Sequence, residues 1–338
     1  MYKISLITGD GIGPEISESV IKVLETINDK LGLKIEIEKL EAGDRALAKT
    51  GKALPEATLE TIKRSDACLK APVGESAADV IVVLRRMLNL YANIRPAKSY
   101  PNMPALKDNI DLVIVRENTE DLYTGMEFEV GNTAVALRTI SEGASKRIAK
   151  YAFLTATQRN QKMKVTCVHK SNVMRKTDGL FARSCSEVAK QFPKISFEQM
   201  YVDACAMNLI RQPESFDVIV TTNLFGDILS DEAAQVVGGL GMAPAANIGD
   251  DFALFEPVHG AAFDIAGKQT ANPSSFILSA KMMFDWLGMK NNDKNCFDVA
   301  KKLESSVYDV VKEGIKTKDI GGDKTTMEFT QQVISKLV

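Results

Sequence analysis

Apolar runs and segments of helical periodicity alternate along most of the chain. Four segments have strand patterns, either strict alternation or an apolar run bounded by polar residues: 3–8, 33–38, 111–117 and 216–223. Helical spacing of apolar residues marks 59–63, 145–159, 177–191, 204–211 and 227–237, and the last third adds 274–287, 297–312 and 326–337. This alternation predicts an α/β fold in which the C-terminal helices coat a sheet built by earlier segments.

Length and charge narrow the class of protein. The 338 residues exceed one ordinary compact core, so we expect two closely packed domains. The 42 basic and 44 acidic residues nearly cancel without a block of like charge, which argues against a nucleic-acid partner. No apolar run reaches the roughly 20 residues of a membrane span and no secretory leader is visible, so we expect a cytoplasmic protein that binds no membrane. The five cysteines form no CxxC pair, which predicts buried thiols rather than disulfides or a zinc site.

A glycine-rich turn follows the first predicted strand. Residues 9–15 read GDGIGPE, and glycines ahead of a helix can bring backbone N–H groups close to a phosphate. However, the third glycine of a dinucleotide fingerprint would fall on Pro14 or Ile16, and no acidic residue ends a second strand in the expected way. The pattern favours a tight turn that starts a helix, with dinucleotide binding as the open alternative.

Asp227 and Asp231 are candidates for a metal site. Four residues apart, they project from one face of a helix that follows a buried strand. A divalent ion such as Mg²⁺ or Mn²⁺, which prefers oxygen ligands, would relieve the repulsion between them, and the presence of only 2 histidines argues against zinc. A solvated acidic helix face is the alternative.

Cations at the ends of predicted elements suggest a site for an acidic substrate. Lys170 ends an apolar strand, where burial or nearby positive charge would lower its pKa enough for it to act as a base; an ordinary strand-end cation is an equal alternative. Arg85, Arg95 and Arg116 can each pair with a carboxylate in two-point fashion. Singly, each is better explained by a surface salt bridge, but several at element ends indicate a shared site.

Eight motifs occur in an order that resembles the β-decarboxylating dehydrogenases, the family of isocitrate and isopropylmalate dehydrogenases. They are GDGIGPE (9–15), LRRMLNLYANIRP (84–96), VRENTEDLYTG (115–125), HKSNVM (169–174), TDGLF (177–181), YVDA (201–204), NLFGDILSDEAAQVVGGLG (223–241) and FEPVHGAAFDIAGK followed by ANP (255–268 and 271–273). The resemblance therefore covers nearly the whole chain.

The resemblance implies the family's two-domain α/β fold with a central mixed sheet, which is not a Rossmann fold. Residues 1–98 and 238–338 would form a larger domain that contains both termini and the NAD-binding loop. Residues 99–237 would form a smaller domain with the dimer interface and the metal-binding helix. The protein would be a homodimer with shared active sites, and pairing of dimers into tetramers is left open.

The resemblance also implies a role for each candidate residue. Mg²⁺ or Mn²⁺ would be held by Asp227, Asp231 and, across the dimer, Asp203 of the partner subunit. Tyr123 would protonate the enol carbon, and Lys170, also from the partner, would help remove the C2 hydroxyl proton. The substrate would be bound by Arg85, Arg95, Arg116, Ile81, Val82 and Asn172, and NAD by Glu256, His259, Gly260, Asp264 and Asn272.

Two of these positions bear on specificity. A carboxylate at Asp264 would accept hydrogen bonds from a free ribose 2′-hydroxyl and repel a 2′-phosphate, which favours NAD over NADP. Ile81 and Val82 are apolar where isocitrate enzymes usually carry Ser and Asn. We therefore expect oxidative decarboxylation of (2R,3S)-3-isopropylmalate to 4-methyl-2-oxopentanoate and CO₂, a step of leucine biosynthesis.

Alternatives to this substrate and activity stay open at the level of sequence. Ala78 departs from the Glu common in isopropylmalate enzymes, so homoisocitrate or isocitrate is the alternative substrate. A non-catalytic regulatory subunit and a metal-dependent hydrolase of the same fold are alternatives of a different class.

Overall fold

A computed structural model describes residues 1–338. The strands are β1 Tyr2–Ile7, β2 Ile35–Leu40, β3 Ala67–Lys70, β4 Ala92–Lys98, β5 Asp111–Glu117, β6 Glu127–Val130, β7 Thr133–Ala136, β8 Lys164–His169, β9 Ser196–Tyr201, β10 Val218–Thr221, β11 Pro244–Ile248 and β12 Ala253–Pro257. The α-helices are α1 Gly13–Leu31, α2 Asp44–Thr50, α3 Glu56–Arg64, α4 Ala77–Met87, α5 Glu142–Arg159, α6 Thr177–Ala189, α7 Val202–Arg211, α8 Asn223–Val236, α9 Ser274–Asn291, α10 Lys294–Lys312 and α11 Thr326–Leu337. Short 3₁₀ turns lie at Asp121–Thr124, Pro213–Ser215, Leu240–Met242 and Lys318–Ile320.

The α/β class predicted from the sequence pattern is confirmed. Every predicted strand and helix forms, and the strand at 111–117 has the predicted bounds. The helix predicted to start at Asp227 begins one turn earlier, at Asn223, because the preceding strand already ends at Thr221. All five cysteines are free and buried, as expected. No helix is long and apolar enough to cross a membrane.

Ten strands form one mixed sheet in the order β2-β1-β3-β12-β11-β4-β5-β10-β8-β9. The first four strands run in one direction and the last four run in the opposite direction, with β11 and β4 pairing antiparallel to each neighbour between them. The mixed sheet of the fold prediction is therefore present. A separate hairpin, β6–β7, extends from the molecule with nearly all its side chains exposed.

The two faces of the sheet are covered differently. Alternate residues of β5 divide between faces: Val113 and Val115 belong to the largest hydrophobic cluster, whereas Leu112 and Ile114 belong to a smaller one. The largest cluster runs without interruption under α1, α5, α6 and α9. On the other face, one cluster lies under α7 and α8 and a separate one under α3 and α4. The middle of that second face lacks an apolar cover.

The predicted domain boundaries are not tested by these clusters. The two smaller clusters fall on either side of the proposed boundary, apart from Ala97, but the large cluster and the sheet cross it. The division into 1–98 with 238–338 and 99–237 stays a prediction.

The GDGIG segment is a tight turn that leads into α1, in agreement with the favoured interpretation. Gly9 and Gly11 have φ values of +64° and +55°, in the left-handed region that favours glycine. A Cβ at Gly9 would lie 2.0 Å from the carbonyl oxygen of Pro72, and one at Gly11 would lie 2.0 Å from that of Ala261. The glycines thus allow close backbone packing against two other loops.

Candidate active site

Five neighbouring strands place polar side chains on the uncovered middle of the second face. Side chains two residues apart along a strand, and directly opposite one another on paired strands, lie on the same face. The register therefore groups six residues: Lys70 on β3, Glu256 on β12, Asn247 on β11, Asn93 and Arg95 on β4, and Arg116 on β5. This polar face is the floor of the candidate site.

Helices α4 and α8 border the polar face. Arg85 reaches it from α4 and is buried. Asp227 and Asp231 reach it from α8, where the spacing of four residues puts them on one side of the helix, as predicted. Gly226 lets α8 approach the sheet, because a Cβ there would lie 2.5 Å from Cγ of Arg116.

Arg116 is almost completely buried, with 1% of its surface exposed. Its Nε donates to Asn223 Oδ1 at 2.9 Å, and its Nη1 contacts Asp227 Oδ1. Its Nη2 is buried without a partner. Burial, together with the positive charges of Arg95 and Arg85, lowers the pKa of Arg116 to about 9. A buried donor with no acceptor is costly, so this guanidinium is suited to an anionic ligand.

Arg95 and Arg85 converge on the same region. Arg95 Nη1 donates to Asp231 Oδ1 at 3.1 Å, and its Nη2 lies 3.3 Å from Asp227 Oδ1. Arg85 Nε donates to Asn247 Oδ1 at 3.0 Å. The three arginines predicted to bind substrate thus lie in one region, where Arg95 and Arg116 contact the aspartates and Arg85 contacts Asn247 and Glu256.

The aspartates and Tyr123 form the acidic part of the site. The Tyr123 hydroxyl donates to Asp227 Oδ2. Burial alone would raise the pKa of Asp227, but Arg116 and Arg95 outweigh it and hold this pKa below its usual value. Partial desolvation and the neighbouring charge of Asp227 raise the pKa of Asp231. Burial raises the pKa of the Tyr123 hydroxyl, and its hydrogen bond to Asp227 raises it further. Tyr123 therefore keeps its proton, whereas Asp227 is ionised.

Glu256 is buried in a network of cations and amides. Lys70 Nζ lies 2.7 Å from its Oε2, Asn247 Nδ2 donates to its Oε1 at 2.8 Å, and Arg85 Nη2 is 3.5 Å away. Burial would raise the pKa of Glu256, but Lys70 and Arg85 lower it to about 2. Asn247 Oδ1 also accepts hydrogen bonds from Asn93 at 2.8 Å. This network links the polar face to the predicted cofactor loop.

A cavity of about 180 Å³ opens beside this network. Its lining includes the cations Lys70, Arg85 and Arg95 and the apolar side chains of Ala77 and Ile81. The predicted cofactor residues Glu256, His259 and Gly260 also line it. Val82, predicted to bind substrate together with Ile81, lies outside this lining.

Lys170 and Asp203 lie apart from this group. Lys170 Nζ forms an ion pair with Asp203 Oδ1 of the same chain, and this pair lowers the pKa of Asp203. Asp203 is 61% exposed, and Asn172, next to the lysine loop, is also exposed. No three acidic, histidine or cysteine side chains within the chain are grouped to hold a metal ion. One chain thus brings together two of the three predicted metal ligands.

The loop from 256 to 272 is only partly open to a ligand. The side chain of Asp264 is exposed and free of ion pairs, while its carbonyl oxygen accepts from Lys268 Nζ at 2.6 Å. Asn272 is buried, and its Oδ1 accepts from the backbone N–H of Ser274 at the start of α9 at 3.0 Å. The Asn272 side chain is therefore engaged in contacts within the protein in this structure.

Sequence reasoning missed Lys70 and Asn247. Lys70 ends an apolar strand just as Lys170 does, which was an available signal. Asn247 offered no signal, because its partners Arg85 and Asn93 are 162 and 154 residues away in sequence.

Comparison with known proteins gives the family directly. Residues 3–333 match the isocitrate/isopropylmalate dehydrogenase family, and the chain belongs to it. It is 52% identical over 338 residues to the 3-isopropylmalate dehydrogenase of Sulfurisphaera tokodaii, covering 99% of each chain. It is 47% identical over 342 residues to the isocitrate/homoisocitrate dehydrogenase of Thermus thermophilus, covering 99% of this chain and 98% of the other.

A solved structure supports the same family. The isocitrate dehydrogenase from Methylococcus capsulatus superposes with a TM-score of 0.93 at 41% identity, covering 100% of this chain and 99% of that one. The resemblance and the fold predicted from the sequence are therefore confirmed, and the chain is a dehydrogenase of the isocitrate/isopropylmalate type.

Proposed function

We propose that the protein catalyses the NAD-dependent, Mg²⁺- or Mn²⁺-dependent oxidative decarboxylation of (2R,3S)-3-isopropylmalate to 4-methyl-2-oxopentanoate and CO₂, in leucine biosynthesis. The observation that carries this proposal is a cavity lined by Arg85, Arg95 and the apolar Ile81, with the buried Arg116 held next to Arg95 by their shared partner Asp227. The unpartnered Nη2 of Arg116 supplies a donor for a substrate carboxylate.

The surroundings of Ile81 favour an apolar substituent over a third carboxylate. Besides Arg85 and Arg95, the cation that lines the cavity is Lys70. The Lys70 ammonium is already paired with Glu256 at 2.7 Å. A further carboxylate would have to break that buried ion pair to gain a partner, which costs several kcal/mol, typically about 3–5. An isopropyl group has no such requirement. Homoisocitrate or isocitrate is the second candidate, in keeping with the name of the Thermus thermophilus relative.

The residues fit a hard divalent ion if a second chain takes part. Asp227 and Asp231 supply carboxylate oxygens on an accessible helix face, with the Asp231 side chain 56% exposed. The third expected ligand, Asp203, is exposed on a different part of the chain, where it can serve a neighbouring subunit. When bound, the ion would polarise the C2 oxygen and stabilise negative charge on the decarboxylating substrate.

The loop from 256 to 272 fits a nicotinamide dinucleotide with an unphosphorylated ribose. The Asp264 carboxylate is exposed and unpaired, so it is free to accept hydrogen bonds from two ribose hydroxyls. Glu256 and His259 line the cavity next to the substrate arginines, where a nicotinamide ring would meet C2 of the substrate. NAD would supply the hydride acceptor.

Within this scheme the chain's own groups handle the protons. Tyr123 retains its proton because burial and Asp227 raise its pKa, so it is suited to protonate carbon after CO₂ departs. Lys170 would remove the C2 hydroxyl proton in the site of the neighbouring subunit.

We infer a homodimer in which each site is shared. Exposed apolar side chains lie on the β6–β7 hairpin (Phe128 and Val130) and on α7 and α8 (Met207, Ile210 and Ile228). Exposed apolar side chains of this size are candidates for burial in an interface. Pairing of dimers into tetramers stays open to measurement. Five buried free thiols suit a reducing compartment, which supports a cytoplasmic location.

A substrate panel tests the reaction. Purified protein with Mg²⁺ and NAD is given isopropylmalate, homoisocitrate and isocitrate in turn, and NADH absorbance gives kcat/KM for each. We expect isopropylmalate to be preferred. A higher kcat/KM for either tricarboxylate would replace the proposed substrate with that one, and absence of NADH with all three would refute the dehydrogenase proposal for this chain alone.

Complementation tests the shared site. Asp203→Asn and Asp227→Asn homodimers should each be inactive, but a mixed dimer should contain one intact site. A randomly mixed population should therefore regain about a quarter of wild-type activity, because about half of the dimers are mixed and each has one working site. Failure to regain activity, with mixed dimers demonstrated, would refute sharing.

A further inference from the structure

Arg138 joins three segments that carry the proposed chemical groups. Its Nε donates to Asp121 Oδ1 at 2.6 Å, its Nη2 donates to Thr222 Oγ1 at 2.8 Å, and its Nη1 contacts Asp178 Oδ1. The guanidinium carbon also lies 4.9 Å from the centre of the Phe225 ring on α8. Neither the sequence motifs nor the proposed mechanism gives this arginine a role.

The first acceptor, Asp121, holds the turn that carries Tyr123. It opens the 3₁₀ turn 121–124, and its Oδ2 accepts from the backbone N–H of Leu224 at 3.1 Å, which ties the turn to the start of α8. Asp121 has a φ of +73°, a conformation that non-glycine residues rarely adopt and that surrounding contacts must maintain. The position of the Tyr123 hydroxyl beside Asp227 thus depends on how Asp121 is held.

The second acceptor, Asp178, holds the loop that carries Lys170. Its Oδ2 accepts from the backbone N–H of Lys170 at 2.6 Å. Asp178 lies in the first turn of α6, and its other oxygen faces Arg138. The lysine therefore leaves its strand at a point fixed by the same arginine that fixes the Tyr123 turn.

Arg138 is the one cation bound to both of these buried carboxylates. Asp121 and Asp178 are each fully buried, and no other ion pair reaches either of them. Removing the shared partner would leave two carboxylates uncompensated, and both segments would have to move to reach solvent or another donor. A lysine has the charge but not the planar fork that reaches two carboxylates at once.

We propose that Arg138 is a positioning residue for both Tyr123 and Lys170, so that one arginine contributes to both active sites of the dimer. This inference rests on the proposed function, in which Tyr123 acts in its own subunit's site and Lys170 in the neighbouring one. Loss of Arg138 in one subunit then displaces the acid of one site and the lysine of the other.

Mixed dimers distinguish an arginine that positions groups in both active sites from one that affects a single site. Differently tagged subunits are co-purified, and kcat is measured for wild type paired with Tyr123→Phe and for wild type paired with Arg138→Met. The first pair should keep about half of the wild-type kcat, because one site stays complete. The second should fall to about a tenth or less, because misplacing a chemical group by about 1 Å can cost 100-fold and both sites are affected. A kcat near half for the Arg138→Met pair would overturn the proposal.

Two further variants exclude a general loss of structure. Arg159→Met is the matched control, because Arg159 also bridges two carboxylates, Asp217 at 2.9 Å and Asp111 at 3.0 Å, at the opposite ends of β10 and β5. Its mixed dimer should be less stable yet keep wild-type kcat. If Arg138→Met does not fold, Arg138→Lys is measured in its place, and a wild-type kcat for that homodimer would overturn the proposal.

The split between kcat and KM gives a second readout. Arg138 touches none of the substrate arginines, so kcat should fall by a larger factor than KM for the substrate rises. A rise in KM at constant kcat would contradict the assignment. A wild-type protein that is monomeric and active would overturn the shared site and this inference together, whereas successful Asp203/Asp227 complementation with a half-active Arg138→Met pair would overturn this inference alone.

Discussion

Replacing Lys70 with Met tests the buried network beneath the site. Lys70 Nζ and Glu256 Oε2 are 2.7 Å apart, and both side chains are buried. Arg85 Nη2, at 3.5 Å, is the other cation near this carboxylate. Lys70→Met keeps an apolar stem of similar length but leaves Glu256 buried with only the more distant partner.

The pKa of Glu256 sets the size of the effect. Its value falls from an ordinary 4.5 to about 2 in the folded protein. At about 1.36 kcal/mol per pKa unit, this difference corresponds to about 3 kcal/mol of folding free energy. Because the folded pKa is depressed, this contribution is present above pH 4.5 and is lost as the pH falls from 4.5 toward 2. Lys70 is the strongest of the groups that lower this pKa, ahead of Arg85 and Asn247. We therefore expect Lys70→Met to lose about 3 kcal/mol at pH 7, the lower end of the cost of breaking a buried pair.

Urea unfolding of the intact protein at fixed concentration measures this loss. The deficit of Lys70→Met against wild type should be largest at pH 7 and should shrink toward pH 4, because burial raises the Glu256 pKa once Lys70 is gone and protonation then relieves the unpaired charge. Lys98→Met is the matched control: its pair with Glu304 spans 2.9 Å but is partly exposed, so it should lose less than about 1 kcal/mol. Adding Glu256→Gln to Lys70→Met should restore part of the stability.

A deficit of Lys70→Met that is no larger than that of Lys98→Met would refute this reasoning. A deficit that is equal at pH 7 and pH 4 would also refute it, since the loss would then come from packing and not from the charge of Glu256.

Three other substitutions test the metal, cofactor and substrate assignments. Asp231→Asn should raise the Mn²⁺ concentration for half-maximal rate by at least about 10- to 100-fold, the cost of losing even a group that only supports a metal ligand. The thermal midpoint of the metal-free protein should stay nearly unchanged because the Asp231 side chain is 56% exposed. Equal activation would remove Asp231 from the metal site. Asp264→Asn should reduce the ratio of kcat/KM for NAD over NADP by about tenfold, since the repulsion of a 2′-phosphate disappears; an unchanged ratio would place the ribose elsewhere. Ile81→Asn should lower kcat/KM for isopropylmalate by about 10- to 100-fold, because an apolar contact worth about 1–3 kcal/mol is lost. If the substitution changes only kcat, and by the same factor for every substrate, Ile81 does not discriminate between substrates.

Local pattern predicted the elements of the fold well where the pattern is set by burial. The continuous apolar run at 111–117 gave β5 its observed bounds, because a central strand buried on both faces has few polar positions. The start of α8 was harder to predict. Its first turn, from Asn223, is specified by contacts such as that between Asn223 Oδ1 and Arg116, which no local periodicity records.

The candidate site was predictable only in part for the same reason. Asp227 and Asp231 are neighbours on one helix, so their spacing identified them. Lys70 and Glu256 are separated by 186 residues and meet only because β3 and β12 are adjacent in the sheet. Arg138 lies outside regular secondary structure, and its partners come from three different segments. Roles that depend on strand order and on loop packing require the assembled structure.

The antiparallel seam of the sheet has a mechanical consequence. The two halves of the sheet, β2-β1-β3-β12 and β5-β10-β8-β9, are joined through β11 and β4. Strands β4 and β5 share seven residue pairs, so this connection is a continuous ladder. Relative movement of the two halves of the sheet would therefore change the twist of this ladder. Amide hydrogen exchange in β4 and β5, compared with and without ligands, would measure how ligand binding changes the protection of this ladder.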